Sequence, residues 1–222
     1  SVAFGVAMEA GVLPFGDGAE VCRMLREEVG RGTGIGRIIG GGAGAVGRAF
    51  GITRVPTVKN QAIPAYDPRA IKGIGITYAT STQGADHTMG YTIATNILGV
   101  GGKLDPLSNE GQVELSRNLQ IATAAIDSTG MCLFIAFAAL DDANCLPALI
   151  DMINARFGIA LTADDVTNLG KHILKTERAF NMAAGFTRED DRLPEFFRTE
   201  PIAPHNVVWD IDNAAIDSFW DF

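Results

Sequence analysis

Basic residues are scarce in this chain. Eighteen lysines and arginines stand against 26 aspartates and glutamates among 222 residues, giving a formal charge of −8 at pH 7. They form no run or patch, so nucleic acid and anionic membranes, which are held through clustered Lys and Arg, are disfavoured as partners. Cysteines are few as well. Cys22, Cys132 and Cys145 are too scattered for a disulfide framework, and a chain of this length needs no such staple. Reduced thiols in a cytoplasmic enzyme are the expectation. A signal peptide is also lacking: Ser1-Val-Ala-Phe-Gly-Val-Ala-Met-Glu9 has neither a basic start nor a small-residue cleavage pattern. It reads as the middle of a helix, so the chain is expected to be a fragment or one piece of a split protein. The one long apolar run, Ile121 to Leu140, is broken by Asp127-Ser-Thr-Gly130 and closed by Asp141-Asp142. A central carboxylate is costly in lipid, so two buried segments around a turn are expected rather than a membrane span.

What remains is globular, with 47% hydrophobic and 20% charged residues. The pattern is mainly α and multihelical: no strand alternation is sustained and no long repeat is visible. Asp17-Gly-Ala-Glu20 is an acidic variant of a capping box, and Thr162-Ala-Asp-Asp165 is another. Arg69 to Thr82 is expected to form a helix. Ser108 is expected to cap one carrying Val113, Leu115, Leu119 and Ile126. After Thr162, the residues Val166, Leu169, Ile173 and Phe180 fall near one helical face. Three prolines (Pro56, Pro64, Pro68) make residues 52 to 68 an extended linker or domain boundary. Past Gly185 the chain reads as an irregular wrapping tail.

Gly42-Ala-Gly44-Ala-Val-Gly47 has the spacing of a dinucleotide-binding loop, but no full strand feeds it and the following helix would be short. Close backbone packing in a helical domain accounts for it better. Asp127-Ser-Thr-Gly130-Met131-Cys132 is more informative. A carboxylate accepts from the adjacent N–H donors of an amino-heterocycle, glycine lets backbone approach a flat ligand, and the thiolate can ligate a metal beside it. Taken alone, these six residues suit a small buried, inert thiol better, the usual fate of a free cysteine.

The Asp-x-x-Gly-Leu-Cys type element, with Met131 in place of leucine, resembles the pterin- and cluster-binding motif of the aldehyde ferredoxin oxidoreductase family. Pro64-Ala-Tyr-Asp-Pro-Arg-Ala-Ile-Lys-Gly-Ile-Gly-Ile-Thr-Tyr-Ala-Thr-Ser-Thr-Gln-Gly-Ala-Asp-His87 resembles the segment leading to its active-site histidine. Glu177-Arg-Ala-Phe-Asn181 and Gly185-Phe-Thr-Arg-Glu-Asp-Asp-Arg-Leu-Pro194 resemble its C-terminal block, and Ser1 to Glu9 the helix after its first pterin motif.

The resemblance implies two all-α domains, residues 1–58 closing helical domain 2 and 59–222 forming helical domain 3. It implies that Asp127 binds a pterin of a tungsten- or molybdenum-bis-pterin cofactor, with Gly130 and Met131 against it through their backbone. Cys132 would be the fourth thiolate of a [4Fe–4S] cluster, and His87 would assist proton transfer or orient the substrate. The implied reaction oxidises an aldehyde to a carboxylate and passes electrons to ferredoxin; a homodimer is one possible assembly.

Cys22 and Cys145 are expected to be structural, and His172 and His205 show no ligand spacing. Glu189-Asp-Asp191 is expected to be solvated or to pair with Arg188 or Arg192. The chain departs from the family pattern at Met182-Ala-Ala-Gly185, which has alanine where members often carry arginine. A cluster needs four thiolates, and the Cys-x2-Cys-x3-Cys run, the first pterin motif and the active-site glutamate are absent. A missing N-terminal region or partner chain must supply them, and the isolated piece is expected to be inactive. Alternatives are a relative acting on another substrate (an aryl-CoA, a sugar-phosphate aldehyde) or a non-catalytic helical subunit.

Overall fold

A computed structural model describes residues 1–222 and contains eleven α-helices and a single two-stranded sheet. The fold is mainly α, as the spacing predicts. Two hydrophobic cores organise it. The first is built by α1 (Val2–Glu9), α2 (Gly18–Met24), α3 (Gly34–Gly40) and α4 (Ala43–Phe50), with Phe4, Val6, Leu13, Met24, Ile39 and Val46 at its centre. Asp17 caps α2 by accepting from the Glu20 N–H at 2.9 Å. Glycine sets how closely these helices pack. A Cβ on Gly36 would lie 1.9 Å from the Glu28 carbonyl oxygen, and one on Gly47 would lie 2.4 Å from Val55 Cγ2. Gly44 and Gly47 thus make room for the Asn60 and Val55 side chains on α4, while Gly42 turns the chain into that helix with φ 90°, with no strand before them.

The chain then makes a hairpin of β1 (Thr57–Val58) and β2 (Gln61–Ala62), antiparallel, with Thr57 opposite Ala62. Its turn residues Lys59 and Asn60 have φ of 49° and 65°, the positive values that a tight type I′ connection demands. The second core follows. Helix α5 (Lys72–Thr80) is buried along its whole length and packs on α6 (Gln112–Asp127), which packs in turn on α9 (Ala163–Ala183). Polar side chains inside the α5–α6 contact are paired: Thr77 Oγ1 lies 2.7 Å from Ser116 Oγ, and Gln120 Nε2 donates to Thr80 Oγ1 at 2.8 Å.

Several local expectations shift. Helix α5 starts at Lys72 rather than Arg69, because Asp67 closes a turn by accepting from the Arg69 and Ile71 N–H groups. Helix α6 starts after Gly111 (φ 72°), and Ser108 instead accepts from Glu110 N–H in the preceding turn. The capping box at Thr162 and Asp165 forms in full. The buried face of α9 is set by Gly170 and Leu174, while Leu169 and Phe180 are exposed. The cause is close approach: a Cβ on Gly170 would sit 2.0 Å from the Ile121 carbonyl oxygen, so this position turns toward α6.

The run from Ile121 to Leu140 does split around a turn, but only its first half is buried. No residue of α7 (Ile135–Asp141) is buried, and Phe134 before it is 75% exposed. Helix α8 (Cys145–Phe157) follows, and no helix is long and apolar enough to cross a membrane. The tail, with α10 (Phe196–Thr199) and α11 (Asn213–Asp217), is no loose wrapping. Leu193, Phe197, Trp209, Ile211, Ile216 and Phe219 join Ile74, Ile76 and Tyr78 in the larger core.

The acidic stretch is also corrected at one position. Asp191 is 2% exposed and lies between two cations, Lys59 Nζ at 2.7 Å and Arg178 at 2.5 Å. Arg192 touches only its backbone carbonyl and bonds Asp217, while lying 3.9 Å from Glu189, the expected pairing within this stretch. Burial lowers the Lys59 ammonium from its usual range, opposed by the attraction of Asp191. Removing one member of a buried ion pair leaves uncompensated charge. Asp191→Asn is therefore expected to cost about 3–5 kcal/mol in urea unfolding, against about 1 kcal/mol for loss of the α9 cap in Thr162→Ala. Gly170→Ala is expected to cost about 1–3 kcal/mol by forcing α6 and α9 apart, and an unchanged unfolding midpoint would contradict that packing.

Candidate functional site

The Asp127–Cys132 element hangs from the C-terminus of α6. Ser128 Oγ donates to the Ala124 carbonyl at 2.9 Å and Thr129 Oγ1 to the Ile126 carbonyl at 2.6 Å, turning the chain out of the helix. Gly130 continues the turn with φ 74°, a left-handed conformation that glycine adopts without strain, and its N–H donates to the Asp127 carbonyl. Space above it is open, since a Cβ there would meet nothing within 4 Å. The Met131 N–H donates to Thr129 Oγ1, leaving Met131 half-buried. Cys132 is exposed, so the buried, inert thiol that the six residues alone would favour is ruled out.

Asp127 is a carboxylate without a hydrogen-bond donor in this chain. Burial raises its pKa, and the neighbouring Asp86 and Glu177 carboxylates raise it further. Glu177 itself accepts from Thr82 Oγ1 at 2.6 Å.

His87 stands in an aromatic box. Tyr66 and Tyr91 flank its ring, with centroids at 5.5 and 5.9 Å, and their hydroxyls lie 2.8 Å apart. Tyr91 also meets Phe137 of α7 edge-on at 5.8 Å, which links the histidine to the helix that follows Cys132. Burial and the Tyr66 hydroxyl push the Tyr91 phenol up to about 12. His87 Nδ1 is buried without a hydrogen-bond partner, and Asp86 Oδ1 stays 3.9 Å away. The Asp86 carboxylate is instead engaged by Thr88 and by the Met89 N–H.

Neither tyrosine stands out from sequence, although Tyr66 sits inside the proline-flanked segment and Tyr91 four residues beyond His87. The remaining thiols and imidazoles do not converge. Cys22 is exposed on α2, Cys145 is half-buried at the start of α8, and His172 and His205 are exposed elsewhere. No group of three or more His, Cys, Asp or Glu is placed to hold a metal ion.

A family model described as aldehyde ferredoxin oxidoreductase, domains 2 and 3, matches residues 5–219. The chain belongs to the aldehyde ferredoxin oxidoreductase family. It is 35% identical over 187 residues to a tungsten-containing aldehyde ferredoxin oxidoreductase of Pyrococcus furiosus, covering 82% of this chain and 30% of that protein. A Pyrococcus horikoshii protein of the same name is 36% identical over 188 residues, with the same coverage. One from Thermococcus kodakarensis is 38% identical over 150 residues, covering 66% of this chain and 24% of that protein. The chain thus spans 30% of the length of its Pyrococcus relatives, and corresponds to the C-terminal, helical region of the family.

An unpartnered carboxylate, an open glycine turn and an exposed thiol lie within six residues, which suits a flat N–H-bearing ligand beside a metal. One thiolate is a quarter of what a [4Fe–4S] cluster takes.

The raised Asp127 pKa sets a pH dependence. The folded chain keeps this proton where the unfolded chain has lost it, so the group favours folding at the acid end of the window. That contribution disappears as pH rises through the raised value. Asp127→Asn is therefore expected to melt higher than the parent at neutral pH, and the gap should close below the ordinary aspartate range. A variant less stable at pH 7 would contradict the repulsion from Asp86 and Glu177.

Proposed function

We propose that this chain is the C-terminal part of an enzyme oxidising aldehydes to carboxylic acids at a tungsten bis-pterin site, with ferredoxin as electron acceptor. The observations that support the reading are the exposed Asp127–Cys132 turn and the boxed His87, in a chain matched by the family over nearly its whole length. In this reading residues 1–58 end helical domain 2 and 59–222 form helical domain 3. The rest of the cofactor base comes from polypeptide outside this chain.

Asp127 would accept hydrogen bonds from pterin N–H groups, which replaces repulsion by Asp86 and Glu177 with charge-assisted pairing. Gly130 and Met131 would present backbone to the ring, and Cys132 would supply one cluster thiolate. The metal–pterin group and cluster would supply the two-electron oxidation and the one-electron exit. His87 would take up or deliver the proton that accompanies oxidation, through the nitrogen its aromatic box leaves unpaired. Tyr66 and Tyr91 keep that ring in place and exclude water from two of its sides.

Metal analysis of the full-length protein tests this directly. Tungsten is expected, and finding neither tungsten nor molybdenum would overturn the proposal. Cys132→Ala should lose the cluster's electron paramagnetic resonance signal. His87→Asn should keep metal and cluster while turnover falls by about 10²–10⁴-fold. A full-length protein with no thiolates beyond these three would favour a non-catalytic helical subunit.

A further inference from the structure

A cavity of about 370 Å³ lies between α6, α7 and α9, closed at one end by Leu146 of α8. Ten of its fourteen lining residues are hydrophobic, among them Leu119, Ile126, Ala136 and Leu140. Its volume is within the range of sites that seat small organic ligands. A second, smaller space shares Leu119, Thr123, Ala136 and Leu140 with it and continues inward to Tyr91 and Phe137.

The only charged residue on the cavity wall is Lys171. It makes no ion pair with any carboxylate of the chain, although twelve other contacts of that kind form. No acidic residue sits one turn away on α9 either: Thr167, Asn168, Leu174 and Lys175 occupy those positions. The other polar wall groups, Asn118, Thr123 and Thr167, are neutral. Lys171, without an ion pair and at the edge of an apolar cavity, selects a ligand with one anionic head and an apolar body.

We propose that this cavity binds a medium-chain or aryl carboxylate, its apolar part between α6 and α7 and its carboxylate on Lys171. Helix α7 is the wall that such a ligand would pull in, since none of its residues is buried without one. The site stands on these walls alone and does not depend on the tungsten reading.

Octanoate titrated into the full-length protein by calorimetry tests it. Binding is expected, weakened at least tenfold in Lys171→Gln, while octan-1-ol binds parent and variant equally. Ala136→Trp, which fills the cavity, should abolish octanoate binding. Lys171 is on the helix surface, so Lys171→Gln keeps the test decisive if the tryptophan variant fails to fold. Equal octanoate affinity in parent and Lys171→Gln would overturn the proposal. So would the absence of any binding, the result expected if other polypeptide fills the groove. Metal content measured on the same samples reports on the tungsten reading separately.

Discussion

A buried carboxylate held between two cations joins segments that lie far apart in the sequence. Asp191 binds Lys59 from the β1–β2 turn and Arg178 from α9, and Lys59 also donates to the Ala79 carbonyl at the end of α5. Charges out of water are tolerated only when geometry is good and remaining hydrogen-bonding capacity is used. Here the lysine is fixed by a carbonyl as well as a carboxylate, and the arginine lies 4.9 Å over the Trp220 ring. Four segments therefore meet at one point, and none can move without exposing a charge to an apolar surrounding.

That junction bears on the site because the hairpin also braces the loop carrying His87. Gln61 Nε2 donates to the Ala85 carbonyl, and the Ala85 N–H reaches the Val58 carbonyl at 3.4 Å. Gly84 adopts φ 96°, and a Cβ there would lie 2.6 Å from that same carbonyl. The hairpin turn thus fixes α5 through Lys59 and the histidine loop through its backbone. The two-residue strands matter as a clamp between the cores rather than as a sheet.

Sequence periodicity shows the helices because capping chemistry is local: Asp17 and the Thr162–Asp165 box are readable from four residues each. It misplaces the buried face of α9, because Gly170 has no side chain to score, yet its missing Cβ lets α6 come close. It also leaves Asp191 either solvated or paired with Arg188 or Arg192, since nothing within the acidic stretch reveals partners 132 and 13 residues away at Lys59 and Arg178. The Asp127–Cys132 turn was legible only through resemblance. Its composition alone suits a buried thiol, whereas the structure exposes Cys132. The tyrosines around His87 were not legible, because they converge through the fold and share no periodic spacing with it.

His87 is held by ring packing rather than by a hydrogen bond from its Nδ1. A catalytic imidazole is usually fixed by a hydrogen bond from its other nitrogen to a carboxylate or carbonyl, which also sets its tautomer. Here the rings of Tyr66 and Tyr91 fix its orientation, while Asp86 spends its oxygens on Thr88 and Met89 and leaves Nδ1 unpaired. Position is thus settled within this chain, and Nδ1 is left without a partner. The same division holds at Asp127, placed by the end of α6 but crowded by two carboxylates and given no donor. His87 Nδ1 is a buried unsatisfied polar group, which costs about 1–3 kcal/mol, whereas the Asp127 carboxylate is exposed. Such a cost is tolerated where a ligand or neighbouring group recovers it, so the unpaired nitrogen of His87 is a group that gains from an added hydrogen-bond partner.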